Sequence, residues 1–352
     1  VWPRIAAAAD HLDALRAKRR TAEYRSGPRS IFFGLLPESI SHEGYSDHPV
    51  HSYWDDFWAL RGLSDAARLA RLLDRAAEAE RFAASSREMR SDVEASLSRV
   101  MAERGIDFIP GSADLADFDA TSTTIALDPC GQRAILPERA LRQTFEKYWE
   151  RFQARRADRT ADGADYTPYE WRIVGSFVRL GWRERAGELA AFFMDDRRPE
   201  GWSQWAEVVW PRVREPKFIG DMPHGWVAAD FLRSFLDLFA YERDADDSLV
   251  VGAGIPAGWM REGDGVAISG LRTRWGTLDL AMSAKVEAAG AAETAEVHVR
   301  LGGTAAPPGG FSVPWPLPGE RVSATLDGRS VPAAAEIAIP RLPAELVLRG
   351  RS

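Results

Sequence analysis

The spacing of apolar residues constrains the fold of this chain more than any other feature of its sequence. Up to residue 245 they recur at helical intervals, and no stretch alternates convincingly between apolar and polar residues. Segments with helical spacing cover residues 3–24, 51–62, 64–83, 86–104, 137–156, 168–180, 183–195 and 225–241. They predict a mainly α fold of about eight helices. Short and long connections alternate between them, as is typical of helical hairpins arranged in an (α/α) toroid.

The pattern changes near residue 246. Short runs rich in Val, Leu and Ile, punctuated by Gly and Pro, lie at 249–251, 266–268, 278–280 and 297–301. Runs of this kind predict a small antiparallel β-domain at the C-terminus. The sequence therefore predicts a helical catalytic domain at 1–245 and a β-domain at 246–352, in agreement with the prior of about two domains for 352 residues.

Composition excludes several classes of function. The chain is 45% hydrophobic and 28% charged with a net charge of −7, and it has no long block of like charge, so we expect no nucleic-acid partner. No apolar run reaches the roughly 18 residues that a membrane span needs. A single cysteine, Cys130, excludes an internal disulfide framework and leaves the compartment open.

The segment His51–Trp58 carries the first candidate for acid–base chemistry. Asp55 and Asp56 lie at a predicted helix start between Trp54 and Trp58. Aromatic neighbours remove water from a carboxyl group and raise its pKa, as a general acid requires. Tryptophan also offers a flat apolar face to a sugar ring, and this chain has 13 of them. Simple placement of acids at a helix N-terminus is the alternative.

The loop at 25–50 precedes this segment and is too long for an ordinary connection, which favours a functional role. Glu43 and Tyr45 are its candidate sugar ligands. The region also holds three histidines, His42, His48 and His51. Because their spacing falls in a loop and does not match the usual zinc patterns, we expect no metal.

Two further polar stretches contain candidate substrate ligands. Asp119 lies in a stretch of acids and hydroxyls at 114–124, whose side chains bind sugar hydroxyls or cap the next turn equally well. Glu170 lies between Tyr169 and Trp171 at a helix start, where a capping role or a salt bridge is the alternative.

The tryptophan-rich loop at 200–224 carries the second candidate for acid–base chemistry. Glu207 lies among tryptophans that include Trp205, and Asp221 and His224 come just before the last helix. A carboxylate in such surroundings suits a general base, with the other three as substrate ligands. A buried glutamate paired with arginine is the alternative.

Glycoside hydrolysis needs two carboxyl groups, which inverting enzymes hold roughly 6.5–9.5 Å apart. Asp55 and Glu207 are the predicted pair, as general acid and general base. The sequence has no nucleophile elbow, Walker loop or dinucleotide fingerprint, so no cofactor is expected.

Two regions give the chain a resemblance to the six-hairpin glycosidases, the (α/α)6 toroids that include glucoamylase-like and rhamnosidase-like enzymes. The segment Tyr53–Trp58 resembles the Trp-acid-acid segment that carries the general acid in glucoamylase-like members, with Asp where those enzymes have Glu. This resemblance implies Asp55 as the acid and Asp56 as a substrate ligand. Glu207 lies in a late loop, where the base is found in those members. The second region resembles the β-domain of rhamnosidase-like members at 252–259, 265–271 and 274–278.

The resemblance also implies missing helices, because six hairpins exceed the predicted number. We expect the first hairpins to lie on a preceding segment or on a partner chain that completes the toroid, and homo-oligomers are a further expectation. The start at Val1-Trp2-Pro3, without Met, agrees with a processed or truncated chain.

The expected function is therefore cleavage of glycosidic bonds in an oligo- or polysaccharide by an inverting mechanism, in a periplasmic or extracellular location. One alternative is a polysaccharide lyase that uses Tyr45, His42 or His224 as base. The other is a glycan-binding protein without catalysis.

Overall fold

The computed structural model describes residues 1–41, 45, 47–159, 165–289, 292–332 and 334–351. The chain divides into two compact units, Val1–Ala164 and Asp165–Ser352. The predicted division at 245/246 stays a prediction. Within the described residues, no helix has the length and apolar character that crossing a membrane requires.

The first unit is helical. Its helices are α1 (Trp2–Ala17), α2 (Tyr53–Leu72), α3 (Ala76–Arg104), α4 (Ala120–Leu127) and α5 (Glu138–Ala157), with 3-10 turns at Ala22–Tyr24, Gly27–Phe32 and Arg133–Ile135. Helices α2 and α3 pack against each other as an antiparallel hairpin. Tyr53 Oη lies 2.8 Å from Ser96 Oγ at one end, and Ser64 Oγ lies 2.9 Å from Ser86 Oγ further along.

The turn of this hairpin is not where the sequence predicts it. The predicted break at residue 63, between the helices at 51–62 and 64–83, is wrong, because α2 runs through it. The chain turns at 73–75 instead, where Asp74 adopts a left-handed conformation with φ of 57°. The predicted helices 64–83 and 86–104 are therefore replaced by the second half of α2 and a long α3.

Two other boundaries in this unit differ from the prediction. The segment 106–135, for which the sequence predicts no helix, contains α4, in which every residue except Thr121 is buried. Burial of this Thr-rich segment outweighs the modest helix propensity of its residues. The first helix ends at Ala17, well before the predicted residue 24, and a 3-10 turn follows it.

The second unit opens with helices and closes with strands, which confirms a helical part followed by a β part. Its helices are α6 (Trp171–Arg179), α7 (Arg183–Asp195), α8 (Gly225–Asp237) and the short α9 (Ala257–Arg261). The prediction of a helix at 183–195 is confirmed to the residue. Helix α6 packs against both α7 and α8.

The described residues of this unit form ten strands in two sheets. They are β1 (Ala240–Arg243), β2 (Ser248–Val251), β3 (Val266–Thr273), β4 (Gly276–Ala289), β5 (Ala292–Gly303), β6 (Phe311–Pro314), β7 (Glu320–Leu326), β8 (Arg329–Val331), β9 (Glu336–Ile339) and β10 (Ala344–Arg351). The four-stranded sheet has the order β1-β2-β6-β9, and the six-stranded sheet has the order β3-β4-β5-β10-β7-β8. All pairings are antiparallel except that of β2 with β6.

Alternation of apolar and polar residues explains the six-stranded sheet. In β10, Leu346 and Leu348 are buried, whereas Glu345 and Arg349 on the other face are exposed. One face of the sheet thus packs into a core and the other meets solvent, as the period of two requires.

The helices and strands of the second unit are tied together by hydrogen bonds. The N–H of Gly252, just after β2, donates to the carbonyl of Phe239 at 2.7 Å. Arg183, at the start of α7, is buried and donates to the carbonyls of Gly252 and Trp315, each at 3.2 Å. Burial lowers the pKa of Arg183 to about 10.

Candidate functional site

Asp55 is held in the first turn of α2 by two serine hydroxyls. Ser39 Oγ donates to one carboxylate oxygen at 2.7 Å, and Ser41 Oγ donates to the other at 2.8 Å. Ser39 is fixed in turn by a pair of backbone hydrogen bonds with Val50, each 3.0 Å. The side chain of Asp55 is therefore partly exposed, oriented, and placed as an acceptor of hydrogen bonds.

Asp56 faces the other way, into the first unit. It is 1% exposed, and one of its oxygens accepts the N–H of Leu36 at 2.9 Å. The other oxygen has no hydrogen-bond partner among the described residues. Burial raises the pKa of Asp56 well above its ordinary value, and the neighbouring charge of Asp55 adds to the effect. Asp56 thus supports the loop before α2 and does not reach the surface.

The loop between α3 and α4 packs beside the start of α2. Tyr45 Oη donates to Asp117 at 2.7 Å, and Ser112 Oγ donates to the other oxygen of Asp117 at 2.9 Å. Gly111 allows this approach, because a Cβ there would lie 2.3 Å from Tyr45 Oη. Burial and the hydrogen bond to Asp117 raise the pKa of Tyr45. Asp119 caps α4 by accepting the N–H of Ser122 at 2.9 Å.

His51 is fixed by two polar contacts and one ring contact. Its Nδ1 lies 3.1 Å from Asp114, and the Nε of Arg19 donates to its Nε2 at 3.1 Å. The ring also stacks on Phe32 with 4.1 Å between centroids. Among the described residues, no group of three His, Cys, Asp or Glu side chains is placed to hold a metal ion.

In the second unit, Glu207 meets two proton-carrying side chains. Its Oε1 lies 3.5 Å from Tyr169 Oη and 4.0 Å from His224 Nε2, and Tyr169 Oη lies 3.2 Å from His224 Nε2. The side chains of Glu207 and His224 are 24% and 22% exposed. The three residues, which we call the Glu207 cluster, are packed together. Tyr169 is buried, whereas Glu207 and His224 remain partly open to solvent.

Backbone hydrogen bonds fix the position of Glu207. Its N–H donates to the carbonyl of Asp221 at 3.1 Å, and its own carbonyl accepts the hydroxyl of Thr167 at 2.7 Å. The N–H of Gly220 donates to the carbonyl of Val208 at 3.1 Å. Gly220 has to be small here, because a Cβ would lie 2.7 Å from that carbonyl oxygen. Glu207 is thus carried by two loop segments that are bonded to each other.

A buried ion pair lies behind the cluster. The Nε of Arg172 in α6 donates to Asp230 in α8 at 2.7 Å, and both side chains are buried. The guanidinium of Arg172 lies 4.8 Å from the ring centroid of Tyr169 and 5.2 Å from that of Trp226. Burial lowers the pKa of Arg172, and Asp230 opposes that shift. Trp226, 44% exposed, adds an aromatic surface beside the cluster.

Trp205 and Trp171 lie in the core of this region. Trp205 is buried and donates its indole N–H to the carbonyl of Phe193 at 2.7 Å. Its ring contacts those of Trp171 and Phe231, with centroids 5.2 and 4.7 Å apart. Trp205 therefore packs the interior under the Glu207 cluster. Trp202, by contrast, is exposed.

The structure brings some of the predicted residues together. In the second unit, Glu207, Asp221 and His224 share one small region, whereas Glu170 and Trp205 are buried beside it. The predicted residues of the first unit separate by burial. Asp55, Trp58 and Asp119 are at least partly exposed, and Tyr45, Trp54 and Asp56 are buried. Glu43 and His42 lie outside the described residues.

Tyr169 was missed as a site residue, although its segment was singled out. The local sequence Thr167-Pro168 predicts a helix start, and the structure has a 3-10 turn there, Pro168–Glu170, ahead of α6. This turn directs Tyr169 to the cluster and leaves Glu170 buried. The sequence pattern did not predict this placement of Tyr169, because the type of turn depends on packing against α8.

Comparisons with known proteins are sparse. No protein-family model and no curated protein matches the chain. Among solved structures, it is similar to an alpha-L-rhamnosidase from Dictyoglumus thermophilum, with 10% identity and a TM-score of 0.44. The match covers 84% of this chain and 31% of that enzyme, so the chain spans less than a third of the enzyme's length.

Proposed function

We propose that this chain hydrolyses glycosidic bonds of an oligo- or polysaccharide, with Glu207 as general base and Asp55 as general acid. The Glu207 cluster is the observation that carries the proposal. It presents a carboxylate that is open to solvent, fixed by backbone hydrogen bonds and in contact with a tyrosine hydroxyl. The exposed ring of Trp226 beside it suits the apolar face of a sugar.

The chemistry assigns one step to each carboxyl group. In an inverting mechanism, the base takes a proton from water while that water attacks the anomeric carbon. The acid protonates the glycosidic oxygen as its bond to that carbon breaks. The side chain of Glu207 can accept such a proton. Asp55, partly exposed at the start of α2 with Trp58 nearby in the same helix, is proposed as the donor.

We further propose that the helical hairpins belong to an (α/α) toroid and that Trp58, Asp119 and Asp221 contact the substrate. The packing of α2 with α3 and of α6 with α7 as neighbours in sequence supports the first point. The exposure of Trp58 and Asp221 supports the second.

Product analysis on a panel of neutral and acidic glycans tests the proposal. We expect the wild type to release reducing ends, and Glu207→Gln and Asp55→Asn to lower kcat by about 10²–10⁴-fold. The exposed residues Glu200 and Asp47 provide matched controls, because Glu200→Gln and Asp47→Asn remove the same charge elsewhere on the surface. Full activity in both site variants would sink the proposal, and tight binding without turnover would favour a glycan-binding protein.

A polysaccharide lyase is the second candidate, and the contact between Tyr169 and His224 favours it. A tyrosine hydroxyl 3.2 Å from a histidine nitrogen can exchange a proton, as abstraction of a proton beside a uronate carboxyl group requires. A lyase would form an unsaturated product that absorbs in the ultraviolet, on uronate polymers alone. Hydrolysis adds water and gives no such absorbance, so one spectrophotometric assay separates the two reactions.

A further inference from the structure

We infer that His224, Tyr169 and Glu207 form a hydrogen-bond chain with a fixed direction, which ends at Glu207 and keeps its carboxylate an acceptor. His224 and Tyr169 are then positioning residues for Glu207. The direction of the chain follows from the contacts alone, whereas its use in catalysis rests on the proposed function.

The direction is set at the start of α8. His224 is the N-cap of this helix, and its Nδ1 accepts the N–H of Val227 at 3.4 Å. An imidazole nitrogen that accepts a hydrogen bond carries no proton, so the neutral ring has its proton on Nε2. A proton on Nδ1 would point at the Val227 N–H, which is itself a donor.

The second link is the contact between His224 and Tyr169. The protonated Nε2 donates to Tyr169 Oη at 3.2 Å, so that oxygen acts as the acceptor. The hydroxyl hydrogen of Tyr169 is then directed to Glu207 Oε1 at 3.5 Å. The direct separation of His224 and Glu207, 4.0 Å, is too long for a hydrogen bond, so the tyrosine is the connection between them.

Glu207 is the last acceptor in the hydrogen-bond chain. Its Oε1 accepts the Tyr169 hydroxyl, as a carboxylate oxygen can. Its other oxygen, Oε2, accepts no hydrogen bond from the described residues. We assign Oε2 as the oxygen that takes the proton of an attacking water. When that water attacks, its O–H bond breaks, its oxygen bonds to the anomeric carbon, and the proton moves to Oε2 while Oε1 keeps its contact with Tyr169. The glycosidic C–O bond breaks in the same step, and the leaving oxygen takes a proton from the proposed acid, Asp55.

His51 supplies an internal reference for the tautomer of His224. Its Nδ1 lies 3.1 Å from Asp114, an acceptor, so His51 carries a proton on Nδ1. The two rings thus have opposite protonation at Nδ1. Both are observable in nitrogen-15 spectra of the full chain, where His224→Asn assigns the signal of His224 among the six histidines.

Two variants separate positioning from helix capping. In His224→Asn, the amide oxygen can still accept the Val227 N–H, since asparagine is a good N-cap, but the donor to Tyr169 is lost. Tyr169→Phe removes the hydroxyl and keeps the ring against Arg172 and Trp226. We expect thermal midpoints close to that of the wild type and kcat lower by about tenfold or more, with KM within about twofold. The double variant should be no worse than the poorer single variant.

A proton on Nε2 of neutral His224, together with these losses in kcat, supports the proposed hydrogen-bond chain from His224 to Glu207. A proton on Nδ1, or wild-type kcat in either variant, overturns it. If the wild type acts on no glycan, the proposed function fails and the tautomer still decides: Nε2–H supports the fixed direction, and Nδ1–H overturns it.

Discussion

Asp56 is a carboxyl group enclosed by protein, and it lies next to the partly exposed Asp55 in the same helical turn. Arg16 and Asp92 exert opposite charge effects on Asp56, and burial is the largest cause of its raised pKa. A carboxyl group with a raised pKa favours the folded state while it is protonated. Its contribution is complete below the ordinary value of 3.8 and is lost as the pH rises through the raised pKa.

Replacing Asp56 by asparagine should therefore flatten the pH dependence of stability. In Asp56→Asn, the amide oxygen can still accept the Leu36 N–H, and the NH₂ group takes the place of the oxygen that has no partner. We expect the free energy of unfolding to fall less between pH 5 and pH 8 than in the wild type, as measured by urea denaturation. The exposed Asp47→Asn is the control and should follow the wild type. Identical slopes for Asp56→Asn and the wild type would contradict the prediction.

At the scale of residues, the sequence located the segments that carry the candidate site but did not identify every residue in it. Glu207, Asp221 and His224 are close in the chain, and a hydrogen bond from the Glu207 N–H to the Asp221 carbonyl confirms that they are close in space. Whether a tryptophan meets solvent could not be read from sequence, because Trp205 and Trp226 have similar local composition. Only packing against Phe193 and Phe231 decides that Trp205 is buried.

At the scale of elements, the loops around Glu207 depend on one close approach. Gly220→Ala would place a Cβ 2.7 Å from the carbonyl oxygen of Val208 and push the two segments apart. We expect it to lower the free energy of unfolding by about 1–3 kcal/mol and to reduce kcat, since Glu207 is carried by the same segment.

Gly225→Ala is the matched control, five residues further along. A Cβ at Gly225 meets nothing within 4 Å, and its φ is not positive, so alanine should leave stability unchanged or raise it by about 0.4–1 kcal/mol. Chemical denaturation and hydrolysis assays on both variants check the pair. Equal effects of the two substitutions would show that the approach of residues 208 and 220 is unimportant.

Helix boundaries were predictable where local signals agree with packing. Helix α7 begins after the left-handed Gly181 and ends where its apolar spacing ends, so the sequence located it fully. The turn at 73–75 contains no glycine or proline, and Asp74 adopts a conformation that most residues avoid. Gly62 lies inside α2, next to the predicted break, and does not end the helix. A glycine inside a helix costs only about 1 kcal/mol, and its neighbour Leu63 is fully buried.

At the scale of the whole molecule, the second unit joins helices and strands in one body. The backbone of Gly252 and Gly254 bonds to the carbonyls of Phe239 and Leu238, at 2.7 and 3.1 Å. Strand β1 pairs with β2 across residue 245, where the sequence suggests a boundary. A cut there would remove the edge strand of the four-stranded sheet and expose Leu249 and its neighbours, which are buried.

A fragment that begins at Asp165 should therefore fold on its own. A fragment that begins at Ala245 or later should fold less stably. We expect residues 165–352 to give a single cooperative thermal transition and dispersed amide resonances, because the unit retains its core and the Arg183 hydrogen bonds to Gly252 and Trp315. Residues 246–352 lose β1 and Arg183, so their transition should come at lower temperature, with more binding of a hydrophobic dye. Equal stability of the two fragments would show that the strands form an independent domain, as the sequence predicts. If residues 165–352 in isolation keep the Nε2–H signal of His224, the Glu207 cluster forms without any residue of the first unit.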